Sequence, residues 1–249
     1  MPIVGAAIVP NSVWLLPGIN PQVHLGIKKT LAALKKLNRY VRSCKPDVLL
    51  VVSEIKGLKQ PALYQNTSYH CNVSQFGDLI TKWQATGHTG FVHSFKESME
   101  SKINLPLLTN SELPITIAAP VIALGLTTPL AILGLPTKMD NDYLAKLSEL
   151  VREFTISSKN NIFVLVTASL SDPEGDVEAK IYNNSIIQSL MKGKEAIVNL
   201  DQKIAASGQS IIFPSILLYN ILPSDKTDFN LLSLESYNNI GHLTSIITW

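Results

Sequence analysis

Four apolar runs, Ile3–Val9, Val48–Ser53, Pro129–Leu135 and Ile162–Thr167, lack the polar alternation of a half-exposed sheet. Rich in Val, Ile and Leu, and each only as long as a strand, they read as interior strands covered on both faces. Helical patterns lie between them. From Val23 to Cys44, Leu25, Thr30, Leu31, Leu34, Leu37 and Val41 recur at helical spacing, with lysines on the other side. Thr89 is suited to cap a helix reaching about Lys102, and Asp140 one from Asp142 to about Ser157. Asp176 to Met191 reads as a further helix closed near Gly193, and Gln209 to Leu222 as an apolar helix stopped by Pro223. Strand and helix in alternation predict an α/β fold: a central, mostly parallel or mixed sheet with helices on both faces, one domain over residues 1–249. Leu231–Leu234 and Gly241–Ile247 are expected to add late, antiparallel strands.

Of the 249 residues, 46% are hydrophobic and 16% charged, which excludes disorder and favours a large apolar interior. A net charge of +2 is too mild to recruit nucleic acid. The Lys28-Lys29 and Lys35-Lys36 pairs fall on one helix and read as its solvated face. Cys44 and Cys71 give neither a disulfide framework nor a CxxC metal pair, so a reduced, cytoplasmic setting is the simplest expectation. Sequons at Asn66, Asn72 and Asn183 carry little weight, because Met1-Pro2-Ile3 shows no basic leader. Leu113 to Thr137 carries no charge and is long enough to suggest a bilayer span. Pro114, Pro120, Gly125, Pro129 and Pro136 break it up. A buried helix (Ile117–Leu126) and a buried strand (Leu130–Leu135) are expected there, with no membrane crossing.

In a parallel sheet, chemistry is placed beyond the carboxyl ends of the strands. Those positions hold Pro10-Asn11-Ser12, Ser53-Glu54-Ile55-Lys56-Gly57 and Thr167-Ala168-Ser169-Leu170-Ser171-Asp172. Gly208-Gln209-Ser210 opens the late apolar helix. Taken alone, an asparagine after a strand-end proline is also a turn residue, and Ser171-Asp172-Pro173 is also a turn that starts a helix.

Read in order, these segments resemble the class III extradiol ring-cleavage dioxygenase B-subunit superfamily, which includes the Memo-like proteins. The family's Ala-Ile-Val-Pro-His strand and Leu-Leu-Pro-Glu-Ile loop have counterparts in Ala7-Ile8-Val9-Pro10-Asn11 and Leu15-Leu16-Pro17-Gly18-Ile19. Lys45-Pro46-Asp47 and Ser53-Glu54-Ile55-Lys56-Gly57 stand where it has Lys-Pro-Asp and Ser-Pro-His-Gly. Gln75-Phe76-Gly77-Asp78-Leu79 is also similar to the group's pattern. Ala168-Ser169-Leu170-Ser171-Asp172 replaces Gly-Asp-Leu-Ser-His, and Gln209-Ser210-Ile211-Ile212-Phe213-Pro214 replaces Glu-Cys-Gly-x-x-Pro. The likeness covers nearly the whole chain, although each motif is short.

The resemblance implies a site for non-haem iron(II), held in active members by two histidines and a glutamate. Carried over, the first histidine falls on Asn11, the second on Ile55 and the glutamate on Gln209. The acid/base histidine falls on Asp172, and another family histidine near Ile115. An amide offers only a neutral oxygen, and an isoleucine offers no donor. The expectation is therefore an iron-free relative with no cofactor and no metal. It would keep a vestigial pocket of Asn11, Glu54, Ile55, Asp172 and Gln209 and act by binding a protein partner, its own copies or a small molecule. The alternative is a divergent metal-dependent oxidoreductase or hydrolase, rebuilt from Asn11, Glu54, Asp172 and Gln209. Glu54 and Ile55, adjacent on an extended chain, are expected to point to opposite sides. Gln209 is expected to hydrogen-bond Asn11 in place of an ion. The histidines, His24, His70, His88, His93 and His242, fall at none of the ligand positions. His242, in the last strand, reads as packing, and Trp14 as a cover for the crevice.

Overall fold

The computed structural model describes residues 2–19, 21–171, 177–200 and 210–249. Strand β1 (Ile3–Val9) leads through a tight turn at Val13–Leu15 to helices α1 (Pro21–Gly26) and α2 (Lys28–Cys44). Next come β2 (Val48–Glu54), the short β3 (Ala62–Tyr64) and a separate pair, β4 (Ser68–His70) and β5 (Gln84–Thr86). Helix α3 (Thr89–Met99), β6 (Leu107–Leu108), α4 (Ile115–Leu124) and β7 (Leu130–Leu135) follow. Then come α5 (Asn141–Ser157), β8 (Ile162–Thr167), β9 (Leu170–Ser171), α6 (Val177–Lys192), α7 (Lys194–Val198) and α8 (Ile212–Ile221). The hairpin of β10 (Asp228–Tyr237) and β11 (Ile240–Thr248) closes the chain.

Nine strands form one mixed sheet in the order β10-β11-β1-β8-β2-β7-β3-β6, with β9 also pairing on β11. Its centre is parallel: β1, β8, β2 and β7 run the same way, while β11 and β3 flank them antiparallel. This is the predicted α/β domain. Alternation along each central strand divides the side chains between two covered faces. Ile8, Leu50, Val52, Val164 and Val166 pack toward α3, α5, α6 and α8. Ala7, Val9, Leu49, Val51 and Leu165 pack toward α2 and α4. Both faces are dry, which is why these strands show no polar alternation.

Several elements depart from the sequence reading, each for a local reason. The helix expected over Val23–Cys44 is two helices that meet at Ile27. Gly26 lies against Tyr237, whose ring carbon Cδ2 would stand 2.4 Å from a Cβ at that position. Nothing local caps α2, so Glu235 does so from β10. Its carboxylate accepts from Thr30 N at 2.6 Å, Thr30 Oγ1 at 2.8 Å and Lys29 N at 3.2 Å. Helix α3 is capped by His88, whose Nδ1 accepts from Phe91 N at 3.1 Å, and it stops at Met99 rather than near Lys102. The buried helix spans Ile115–Leu124 rather than Ile117–Leu126, because Gly125 turns left-handed at φ 59° and ends it. Asp140 caps α5 as expected. Among the described residues, no helix is long and apolar enough to cross a membrane. At the outer edge of the sheet, the β10–β11 register shifts between Leu231 and Ser233, a bulge in the edge strand.

One carboxylate fastens the loop that follows β1. Asp78 is buried and accepts from Gly18 N at 2.8 Å, Ile80 N at 3.1 Å, Thr81 N at 2.9 Å and Thr81 Oγ1 at 2.6 Å. Glycine is required at position 18, since a Cβ there would lie 1.8 Å from Asp78 Oδ1. Burial by itself would raise this carboxyl, but the Thr81, Gly18 and Ile80 donors outweigh it and hold its pKa below the usual range. Asp78→Ala strands three backbone donors and should lower the unfolding free energy by about 2 kcal/mol at neutral pH. Because the folded pKa is depressed, that contribution is present above the unfolded value and fades as pH falls through the folded one. Urea melts of the two proteins should therefore converge in acid.

Candidate functional site

The chain leaves β1, β8 and β2 at a common end of the sheet, and three distant segments are tied together there. Ala168 N donates to Val9 O at 2.9 Å, so the exits of β1 and β8 stay paired. Beyond them, Asn11 N donates to Ser169 Oγ at 3.3 Å. The hub is Ser210, just ahead of α8. Its hydroxyl oxygen accepts from Asn11 Nδ2 at 3.3 Å and from Ser169 N at 3.1 Å, while its proton is directed at Ser169 O at 3.3 Å. One donor and two acceptor positions are all that a serine hydroxyl has, and all three are used.

The expectation that Gln209 bonds to Asn11 falls outside the described residues, as does Asp172; the next residue, Ser210, supplies a bond to the Asn11 amide. Glu54 and Ile55 take opposite faces of the sheet. Ile55 is buried in the α2–α4 cluster, and its Cδ1 lies 2.7 Å from where a Cβ on Gly134 would be. It thus occupies room that a glycine on β7 leaves open. Glu54 is half-buried, with no cation paired to it among the described residues, and burial pushes its carboxyl up to about 7. Ile115, near the position assigned to another family histidine, is the first residue of α4 and packs on the same cluster as Ile55.

Sequence reasoning missed the role of Ser169, Ser210 and His242. Register places His242 at this end of the sheet. Continuing the β1–β11 pairing of Ile8 with Ser245 brings His242 opposite Asn11, and continuing the β9–β11 pairing brings it opposite Ser169. It shares a face with Ile246, toward α2, and neither ring nitrogen has a hydrogen-bond partner among the described residues. The hydroxyls of Thr167 and Thr244, buried on the same face, are likewise without partners there. Burial pulls the His242 pKa down to about 4, against the opposing pull of Glu235. A lone serine in a loop gives no signal in a sequence. His242 did, as the one ionisable residue of the last strand. Trp14 packs edge-on against Tyr237, ring centres 5.6 Å apart, beside α1.

Of the described positions, Ile55 and Ile115 have no donor atom for iron(II), and Asn11, whose amide hydrogen goes to Ser210, has only a neutral amide oxygen to offer. Glu54, the carboxylate that ends β2, is on the other face from Ile55. A cavity of about 440 Å³ opens at the opposite, amino-terminal end of β1, lined by Ile3, Thr155, Ser158, Asn160 and Ile221. It is remote from the strand-end residues.

No protein-family model matches the chain, and no curated protein matches it. Among solved structures it is similar to the uncharacterized protein JW3007 from Escherichia coli K12, with a TM-score of 0.63 and 11% identity. The match covers 98% of this chain and 99% of that one, and at such identity it shows the fold alone.

The two perturbed groups should give opposite pH dependences. His242 has a folded pKa below its ordinary 6.5, so its share of stability is complete above 6.5 and is lost as pH falls toward 4. Glu54 has a folded pKa above its ordinary 4.5, so its share is complete below 4.5 and is lost as pH rises toward 7. Urea midpoints from pH 4 to 8 should show Glu54→Gln gaining on the native chain only above about pH 5. His242→Phe should gain only below about pH 6.5, by up to about 3 kcal/mol. Differences that stay flat across pH would contradict both assignments.

Proposed function

We propose that this protein is an iron-free relative of the class III extradiol dioxygenase-like proteins and acts by binding, at the strand ends around Asn11, Ser169, Ser210 and His242. The observation that carries this reading is position 55. An isoleucine folded over Gly134 stands where the resemblance calls for an imidazole ligand. A metal site that lost only one donor could recruit another. Here the space itself has been given to core packing. Asn11 and Ser210 then satisfy each other without an ion, and the two nitrogens of the buried His242 imidazole have no hydrogen-bond partner among the described residues. The free thiols of Cys44 and Cys71 support a reducing, cytoplasmic setting.

The test is metal content and turnover. Protein prepared anaerobically with iron supplied should retain far less than one iron per chain and consume no oxygen with catechols. Stoichiometric iron that is lost on Glu54→Ala or Asp172→Ala, together with a ring-cleaved product, would overturn the proposal.

One observation favours an enzyme instead. A half-buried carboxyl raised to about 7 at a strand end is suited to general acid–base work, as in a hydrolase. On that reading Glu54→Gln abolishes any hydrolysis found in an ester and amide panel, and the native activity titrates near pH 7. A binding protein shows no such activity to lose.

A further inference from the structure

We propose that Glu235 and His242 form an acid-triggered latch on the binding end of the sheet, in which Glu235 exchanges the first turn of α2 for the imidazolium of His242. The inference concerns regulation of the site proposed above and rests on that reading for its purpose, though not for its geometry.

Glu235 and His242 are directly paired across β10 and β11, so their side chains leave the same face about 5 Å apart. That face is the one covered by α2. At neutral pH the Glu235 carboxylate is fully engaged there, holding the Lys29 and Thr30 amides and the Thr30 hydroxyl. Both Thr30 and His242 are completely buried. The imidazole beside the carboxylate has no hydrogen-bond partner among the described residues. A neutral imidazole makes little demand on Glu235. Once it takes a proton from solvent it becomes a buried cation, and such a cation must be paired. Glu235 is the one acid facing it from β10. The first turn of α2 presents only the exposed Lys28 and Lys29, and α1 presents His24, whose Nε2 is already held by Leu16 O at 3.0 Å. Beyond β1 stand the uncharged Asn11 and Trp14. β1 itself carries no charged residue.

Drawing the carboxylate to His242 leaves α2 uncapped, since Ile27 has no side chain to replace it. Helix α1 runs directly into that helix end, so losing the cap loosens the junction of the two helices at Ile27. The latch is thus closed when His242 is neutral and open when it is charged.

Amide hydrogen exchange on the full chain, read from pH 7.5 to 3.5 after correction for intrinsic rates, tests this. In the native protein the Lys29 and Thr30 amides should lose at least tenfold in protection, while core amides such as Leu50 and Leu165 stay protected. In His242→Phe the two helix amides should keep their protection over the same range. In Glu235→Gln they should be weakly protected at every pH. If His242→Phe does not fold, His242→Gln serves, as a neutral residue of similar reach. Native protection unchanged down to pH 3.5 would overturn the latch. So would His242→Phe losing protection at the same midpoint as the native chain, since the carboxylate would then be titrating on its own. Neither outcome depends on a ligand, so failure of the binding proposal through bound iron or catechol turnover would be seen separately.

Discussion

Four parallel strands covered by helices on both faces leave this protein one kind of place for chemistry, the ends where the strands run out. The interior of β1, β8, β2 and β7 is filled with Val, Ile, Leu and Ala at essentially zero exposure, and no polar side chain survives there until the last turn of the pleat. At that level Ser53, Thr167 and Thr244 appear, followed one step on by Asn11, Ser169 and His242.

What happens at those ends is a redistribution of partners. A hydroxyl on Ser210 binds three segments that are otherwise remote in sequence, and it does so with its full hydrogen-bonding capacity. An arrangement of this kind is neutral, short-ranged and insensitive to ionic conditions, unlike a cluster of imidazoles and carboxylates around an ion. The ionisable groups that remain, Glu54 and His242, stand on opposite faces and are both driven toward their neutral forms by burial. At neutral pH His242 is therefore uncharged, while Glu54 is held near the middle of its titration.

Much of the fold was legible because the interior strands have a composition that nothing else in a globular protein shares. The Asp140 cap and the stop at Gly193 were legible because each acts within a few residues of itself, whereas the expected helix ran past Gly125. What could not be read works over long separations. Glu235 caps a helix that begins 207 residues earlier at Lys28, and the ring of Tyr237 decides where that helix breaks. Strands of two or three residues, such as β6 and β9, exist only because a neighbour offers a ladder edge. At the site, the resemblance located Asn11 and Ile55. It gave no hint of Ser210, since a serine before a helix has many roles, and it undervalued His242, whose neighbours are set by strand register rather than by spacing.

The irregular pairing at Leu231–Ser233 has a consequence for how the molecule behaves in a crowd. A flat outermost strand of ten residues would invite the backbone of another molecule to continue the sheet. The extra residue at Leu232 bends that ribbon out of plane, and the exposed Asp228 adds charge at its start. Growth by end-to-end polymerisation is discouraged at the one margin long enough to permit it, so a strongly apolar chain can be kept at high concentration without forming fibres from that side.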